Sequence, residues 1–135
     1  MAQNTSYIKV RRKQREVIAW VFIEQFSSTG SGGTGKGYEA LADNDADLQM
    51  TRSRSGGNTT YNIQGITTIG TYQAPTDGDR IRFDLVQDAG CPGLYELHFH
   101  NDEFEDEGRT VVSIEDNASS RRFCPTHLVI DIEKE

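Results

Sequence analysis

Cysteine is scarce in this chain: two in 135 residues, Cys91 and Cys124. That excludes the disulfide framework of a small secreted domain. Each precedes a proline at the expected entrance of a strand, so the pair reads as two small, half-buried thiols. A bridge between them stays open if those entrances are neighbours. Long apolar runs are also missing. The strongest, Val17-Ile18-Ala19-Trp20-Val21-Phe22-Ile23, falls far short of the roughly 20 residues that span a bilayer. No apolar stretch follows a basic patch in Met1-Ala2-Gln3-Asn4-Thr5-Ser6, so no secretory signal is read there. The Asn-X-Ser/Thr sequences at Asn4, Asn58 and Asn117 therefore carry little weight. No arrangement of serine, cysteine or histidine marks a nucleophilic enzyme, and no acid–base pair stands out. We expect a non-enzyme without a cofactor.

What is present is polar and turn-rich. Hydrophobic residues make up 35% and charged residues 26%, which is polar for a globular chain but outside the disordered class. Thirteen glycines favour turns over long helices. The length suits one core. The net charge of −7 hides an asymmetry. Residues 1–20 carry Lys9, Arg11, Arg12, Lys13 and Arg15 against Glu16, or +4, and residues 21–135 carry nine basic and twenty acidic side chains, or −11. A basic segment on an acidic body suits an acidic neighbour or a second copy. It disfavours nucleic acid, which most of the surface would repel.

Periodicity points to strands. Tyr95, Leu97 and Phe99 alternate with Glu96, His98 and His100 after the turn sequence Gly90-Cys91-Pro92-Gly93. This alternation places the two histidines on a solvent face. Arg80 to Val86 alternates as cleanly, with Ile81, Phe83 and Leu85 inward. Val17 to Ile23 reads as a buried strand that takes Trp20 into the core. Further strands are expected at Leu48–Arg52, Tyr61–Ile66, Thr67–Tyr72, Thr110–Ile114 and Leu128–Ile132. Loops are expected at Ser27–Gly37 and Arg52–Thr60, with a turn at Pro75–Gly78. Tyr38–Asn44 and Asn101–Asp106 each suit a turn or two of helix. Residues 1–16 read as a basic N-terminal arm, alternatively an edge strand guarded by its charges. Residues 17–135 read as an all-β antiparallel sandwich of about seven to eight strands.

Four motifs suggest chemistry. Gly30-Ser31-Gly32-Gly33-Thr34-Gly35-Lys36-Gly37 imitates a phosphate-binding loop, but Gly37 replaces the required hydroxyl and no long helix follows. Asp43-Asn44-Asp45-Ala46-Asp47 imitates a calcium loop, but Leu48 and Arg54 stand where Gly and Glu are needed. Glu96, His98 and His100 share a strand face and could begin a metal site, with Asp102 or His127 as third ligand. Plain alternation explains them equally. Asp102-Glu103-Phe104-Glu105-Asp106-Glu107 is an acidic cluster around one core-plugging phenylalanine.

Several pieces, in order, resemble the immunoglobulin-like β-sandwich domain of tailed-phage structural proteins, as at the N-terminus of siphophage baseplate upper proteins. They are Val21 to Gly35 with its Ser27-Ser28-Thr29, Gly70-Thr71-Tyr72, Arg80 to Val86, Pro92-Gly93-Leu94-Tyr95-Glu96-Leu97, and Pro125 to Ile132. Lys36-Gly37-Tyr38 departs from the small hydrophobic residue usual after the Thr-Gly. The resemblance implies a virion building block with no catalytic residues to carry over, assembled in the host cytoplasm. With the last expected strand ending three residues before Glu135, the sandwich reads as the whole protein. The expectation is a head decoration (cement) protein, a homo-oligomer bound to phage capsid or other virion proteins. Tyr7, Ile8, Lys9, Val10, Arg11, Arg12 and Arg15 would make partner contacts, with Glu103, Glu105, Asp106 and Glu107 as their counterpart. The exposed glycine loops Ser31–Lys36 and Ser53–Thr59 could fold onto a partner. Alternatives are a tail, neck or baseplate adaptor, and a small ligand- or carbohydrate-binding sandwich using Trp20, Tyr61, Tyr72 or Tyr95.

Overall fold

The computed structural model describes residues 4–27, 32–87 and 90–134. Among them are eleven strands and no helix. They are β1 (Asn4–Arg11), β2 (Ile18–Phe22), β3 (Glu24–Phe26), β4 (Gly33–Gly37), β5 (Leu48–Arg54) and β6 (Gly57–Thr60), followed by β7 (Asn62–Gln64), β8 (Arg80–Leu85), β9 (Leu94–His98), β10 (Gly108–Asp116) and β11 (Thr126–Glu133). One sheet has the order β1-β11-β10-β5-β6, a second β2-β9-β8-β7, and β3-β4 is a separate hairpin.

Period-two alternation packs the two sheets together. Met50, Val112, Ile114, Leu128 and Ile130 of the larger sheet are fully buried against Ala19, Val21, Ile81, Phe83, Tyr95 and Leu97 of the smaller. Phe83 and Tyr95 stack with centroids 4.8 Å apart. The Tyr95 hydroxyl donates to the Tyr38 carbonyl (2.7 Å) and accepts the Leu41 N–H (3.2 Å), pinning residues 38–41 over the core. The fold is therefore an all-β sandwich.

Several expectations need correction. The sandwich is mixed, not purely antiparallel: β1 pairs with β11, and β7 with β8, in parallel. There are more strands than seven or eight because glycine-rich segments read as loops are paired. Ser27–Gly37 contains β4, paired with β3, and Arg52–Thr60 is the β5–β6 hairpin. Conversely, Thr67–Tyr72 is turns, and Asn101–Asp106 and Tyr38–Asn44 are not helical. Ser28 to Ser31, which include the first two residues of the imitation phosphate loop, lie outside the described residues, as do Asp88 and Ala89.

For residues 1–16 the alternative reading, an edge strand, holds in place of the arm. Residues 4–11 do not stand apart as an arm; they are the outermost strand of the larger sheet. Val10 is 3% exposed in the core and Ile8 packs against it. The register sets Lys9 beside Asp131 and Arg11 beside Glu133. Alternating apolar residues and opposite charges on β11 together hold the segment.

Candidate functional site

Three polar assemblies and the β1 edge of the larger sheet organise the surface. The first assembly lies on the outer face of the smaller sheet, where Glu96 and His98 were expected in water. Both are buried, at 1% and 0% exposure, because residues 65–74 fold across them. The outward polar side chains hold that segment by its backbone. Arg82 donates to the carbonyls of Gly65 (2.7 Å) and Ala74 (3.0 Å), and Asp84 accepts the Ile66 N–H. Glu96 accepts the Gly70 N–H (2.9 Å), and His98 Nδ1 accepts the Gln73 N–H (2.9 Å). With Nδ1 an acceptor, Nε2–H donates to Glu96 Oε2 at 2.7 Å. Tyr72 stacks on the His98 ring and donates to the Phe99 carbonyl (2.5 Å). His98 is thus a positioning residue for a covering segment. His100 turns instead to Asp102. Among the described residues no group of three metal-ligating side chains converges.

Trp20 borders this assembly. It was expected in the core, but β2 is an edge strand whose odd-numbered residues point inward, so Trp20 is 50% exposed. Its indole N–H donates to Glu96 Oε1 (3.0 Å), which fixes the ring's orientation. Ile69, also exposed, lies beside Gly70 on the same carboxylate. The other candidate aromatics do not form a platform: Tyr61 and Tyr95 are buried and Tyr72 is committed to His98.

The second assembly withdraws Glu103 from the acidic surface. Arg52 and Arg54, on the inward face of β5, donate to its Oε2 at 2.7 and 2.8 Å. Tyr61 donates to Oε1. Glu103 is 4% exposed, and burial with the adjacent carboxylate pushes the Tyr61 hydroxyl pKa well above its ordinary value. Phe104 beside it is fully buried. The third assembly uses the would-be calcium loop. Asp45 binds Arg122 through two bonds of 2.7 and 3.1 Å, and the same guanidinium donates to Asp116 at 2.9 and 3.1 Å. Asp45 serves an arginine, not a cation. The two cysteines are free: Cys91 is exposed, and burial raises the pKa of Cys124.

Two glycines of the imitation phosphate loop, Gly33 and Gly37, serve close packing, the first against the Glu24 side chain. A Cβ on Gly37 would run into the Pro92 carbonyl, and one on Gly93 would stand 2.5 Å from the Gly37 Cα. A shallow pocket of about 780 Å³ lies alongside, lined by Phe22, Gly35, Lys36, Gly37, Gly90, Cys91 and Pro92.

The open edge is β1. The bond from Arg12 N–H to Glu133 continues the ladder, so even-numbered residues face β11. Thr5, Tyr7 and Lys9 direct their N–H and C=O groups to the open side. Arg11 closes the strand locally: its N–H binds Gln14 Oε1 (2.8 Å), and its carbonyl accepts the Gln14 N–H (3.0 Å). Of the expected partner residues, Tyr7 is 71% exposed, and Lys9, Arg11, Arg12 and Arg15 are exposed. Ile8 and Val10 face the core. Glu105, Asp106 and Glu107 are exposed. The basic and acidic stretches meet within one chain, through Arg12 Nε–H to the Glu105 carbonyl (2.9 Å) and Lys13 N–H to the Phe104 carbonyl (2.7 Å).

Sequence reasoning missed the pair made by Ser113 Oγ and His127 Nδ1 (3.1 Å), on neighbouring strands of the outer face of the larger sheet. Only the register, Ser113 opposite His127, brings them together. No protein-family model, curated protein or solved structure matches the chain.

Proposed function

We propose that this chain is a non-catalytic structural protein of a tailed-phage virion, acting as a head decoration protein that cements the capsid shell. The observation that carries the reading is the β1 edge: backbone groups at Thr5, Tyr7 and Lys9 without a ladder partner among the described residues, a protruding Tyr7, and cations at Lys9 and Arg11. Such an edge adds strands or side-chain contacts from a neighbour, while its charges disfavour indiscriminate pairing. The order of the sequence pieces that resemble the tailed-phage domain supports the virion assignment, and immunoglobulin-like kinship belongs to the same proposal. Adhesion would come from edge pairing, aromatic burial at Tyr7, and charge contacts of the basic strand with acidic neighbours. The acidic counterpart on this chain is Glu105, Asp106 and Glu107.

The test is copy number per virion, by quantitative mass spectrometry against the major capsid protein. Copies near the capsid number, or a simple fraction of it, are expected. A handful in multiples of three or six would move the protein to the tail, neck or baseplate. Absence from virions would overturn the structural role. The half-exposed, orientation-locked Trp20 favours one second reading, a small ligand- or carbohydrate-binding module. Quenching or shift of its fluorescence on titration with sugars would support that reading.

A further inference from the structure

The segment joining β1 to β2 is short and strained. Arg12 to Glu16 contains two non-glycine residues in the left-handed region, Lys13 at φ 66° and Glu16 at φ 56°. Side chains there crowd the backbone, and such residues persist only where their surroundings hold them. Three bonds do the holding: Arg12 Nε–H to Glu105, Lys13 N–H to Phe104, and Glu16 N–H to Asn101 Oδ1 (2.7 Å). β1 itself lies outermost in its sheet, with β11 as its one ladder partner. Its ladder partners all lie on β11: Ile130 and Ile132 beside Ile8 and Val10, Asp131 beside Lys9, and Glu133 beside Arg11. A second copy presents the same β11.

We propose that β1 exchanges between two copies of this chain, each copy's Asn4–Arg11 lying in parallel on the partner's β11. The exchanged strand keeps every cross-strand pairing of the closed form. The hinge, stretched, reaches about 17 Å over five residues. Extension frees Lys13 and Glu16 from the left-handed region, and short strained hinges favour exchange over closure. The occupant is therefore a second copy, chosen by charge and apolar register on β11. The exchange does not rest on the virion reading, because it is a property of the isolated chain.

A cross-linking experiment tests it. In a Cys91→Ser background, one chain carries Tyr7→Cys and another Val129→Cys, positions that face each other across β1 and β11. Both sites lie outside the core, and a single chain carrying both substitutions, oxidised within itself, checks that the geometry permits a bridge. The two single-site chains are unfolded, refolded together and oxidised. A covalent heterodimer is expected. Replacing Val129→Cys by Val111→Cys, one strand further from β1, should abolish it, since that spacing exceeds disulfide reach. Adding Lys13→Gly and Glu16→Gly should cut dimer formation by about tenfold, because glycine removes the strain of the closed hinge. Monomers alone, or Tyr7→Cys chains that link only to one another, would overturn the exchange; the second result would mean edge-to-edge packing of two closed copies.

Discussion

At the residue scale, alternation predicted orientation well and environment poorly. Glu96 and His98 do point away from the core but are buried beneath residues 65–74, whereas Trp20, read into the core from an unbroken apolar run, points outward and stays half in water. Glu103 shows the same limit, since an acidic run carries no sign that one member turns inward to two arginines. The Asp45–Arg122–Asp116 assembly allows a direct prediction. Its bonds to Arg122 lower the pKa of Asp45 from its ordinary 3.8. Burial pushes that of Asp116 up, but the bonds from Arg122 outweigh it and the net shift is downward. Carboxyls lowered in the folded state stabilise it fully above the unfolded value, and that contribution fades as pH falls through 3.8 toward the folded values. The urea midpoint should therefore drop between about pH 5 and pH 3. In Arg122→Met it should start lower at neutral pH and decline less over that window. Parallel pH curves for the two proteins would refute the linkage.

At the scale of the element, β1 rests on two features, an inward pair of aliphatics and an outward row of cations against β11. Reversing Lys9→Glu places like charges beside Asp131 and should lower the urea midpoint slightly. Asp131→Lys in the same chain should recover most of it, although Asp131 also binds Arg109 at 2.9 Å and the single change loses that bond too. A double-mutant cycle from denaturant unfolding measures the coupling, and a coupling of zero would leave the cations without a role in seating β1. The strands legible in sequence are those with an apolar run or alternation, Arg80–Val86 and the segment after Pro92 most clearly, with Val17–Ile23, Leu48–Arg52, Thr110–Ile114 and Leu128–Ile132. β4 and β6 were not legible, because Gly-Thr-Gly-Lys-Gly and Gly-Asn-Thr-Thr lack any apolar period; their pairing comes from the adjacent strand.

At the scale of the whole molecule, the N-terminal segment is structural as well as charged. A detachable arm would be removable without loss, whereas deletion of residues 1–11 here takes Val10 from the core and uncovers the apolar edge of β11. Burial of Val10 and partial burial of Ile8 together contribute about 3 kcal/mol. The truncated chain should be destabilised by at least that amount and should self-associate through the bared edge. Chemical denaturation with size-exclusion chromatography checks both, and a truncated chain that is stable and monomeric would show that β1 adds nothing to the sandwich.

The sequence by itself determined the class of this protein. Period-two alternation, scarce helix signals and glycine-marked turns leave only a β fold, since each acts over a few neighbouring residues. It also determined the split between a basic beginning and an acidic remainder. The tertiary structure alone decided that β1 lies parallel to the last strand, that residues 65–74 bury a histidine and a glutamate, and that Glu103 and Asp45 serve arginines instead of a partner or a cation. These depend on contacts between residues 25 to 122 positions apart, where the register of paired strands and the path of long connections, which no local pattern encodes, set which side chains meet.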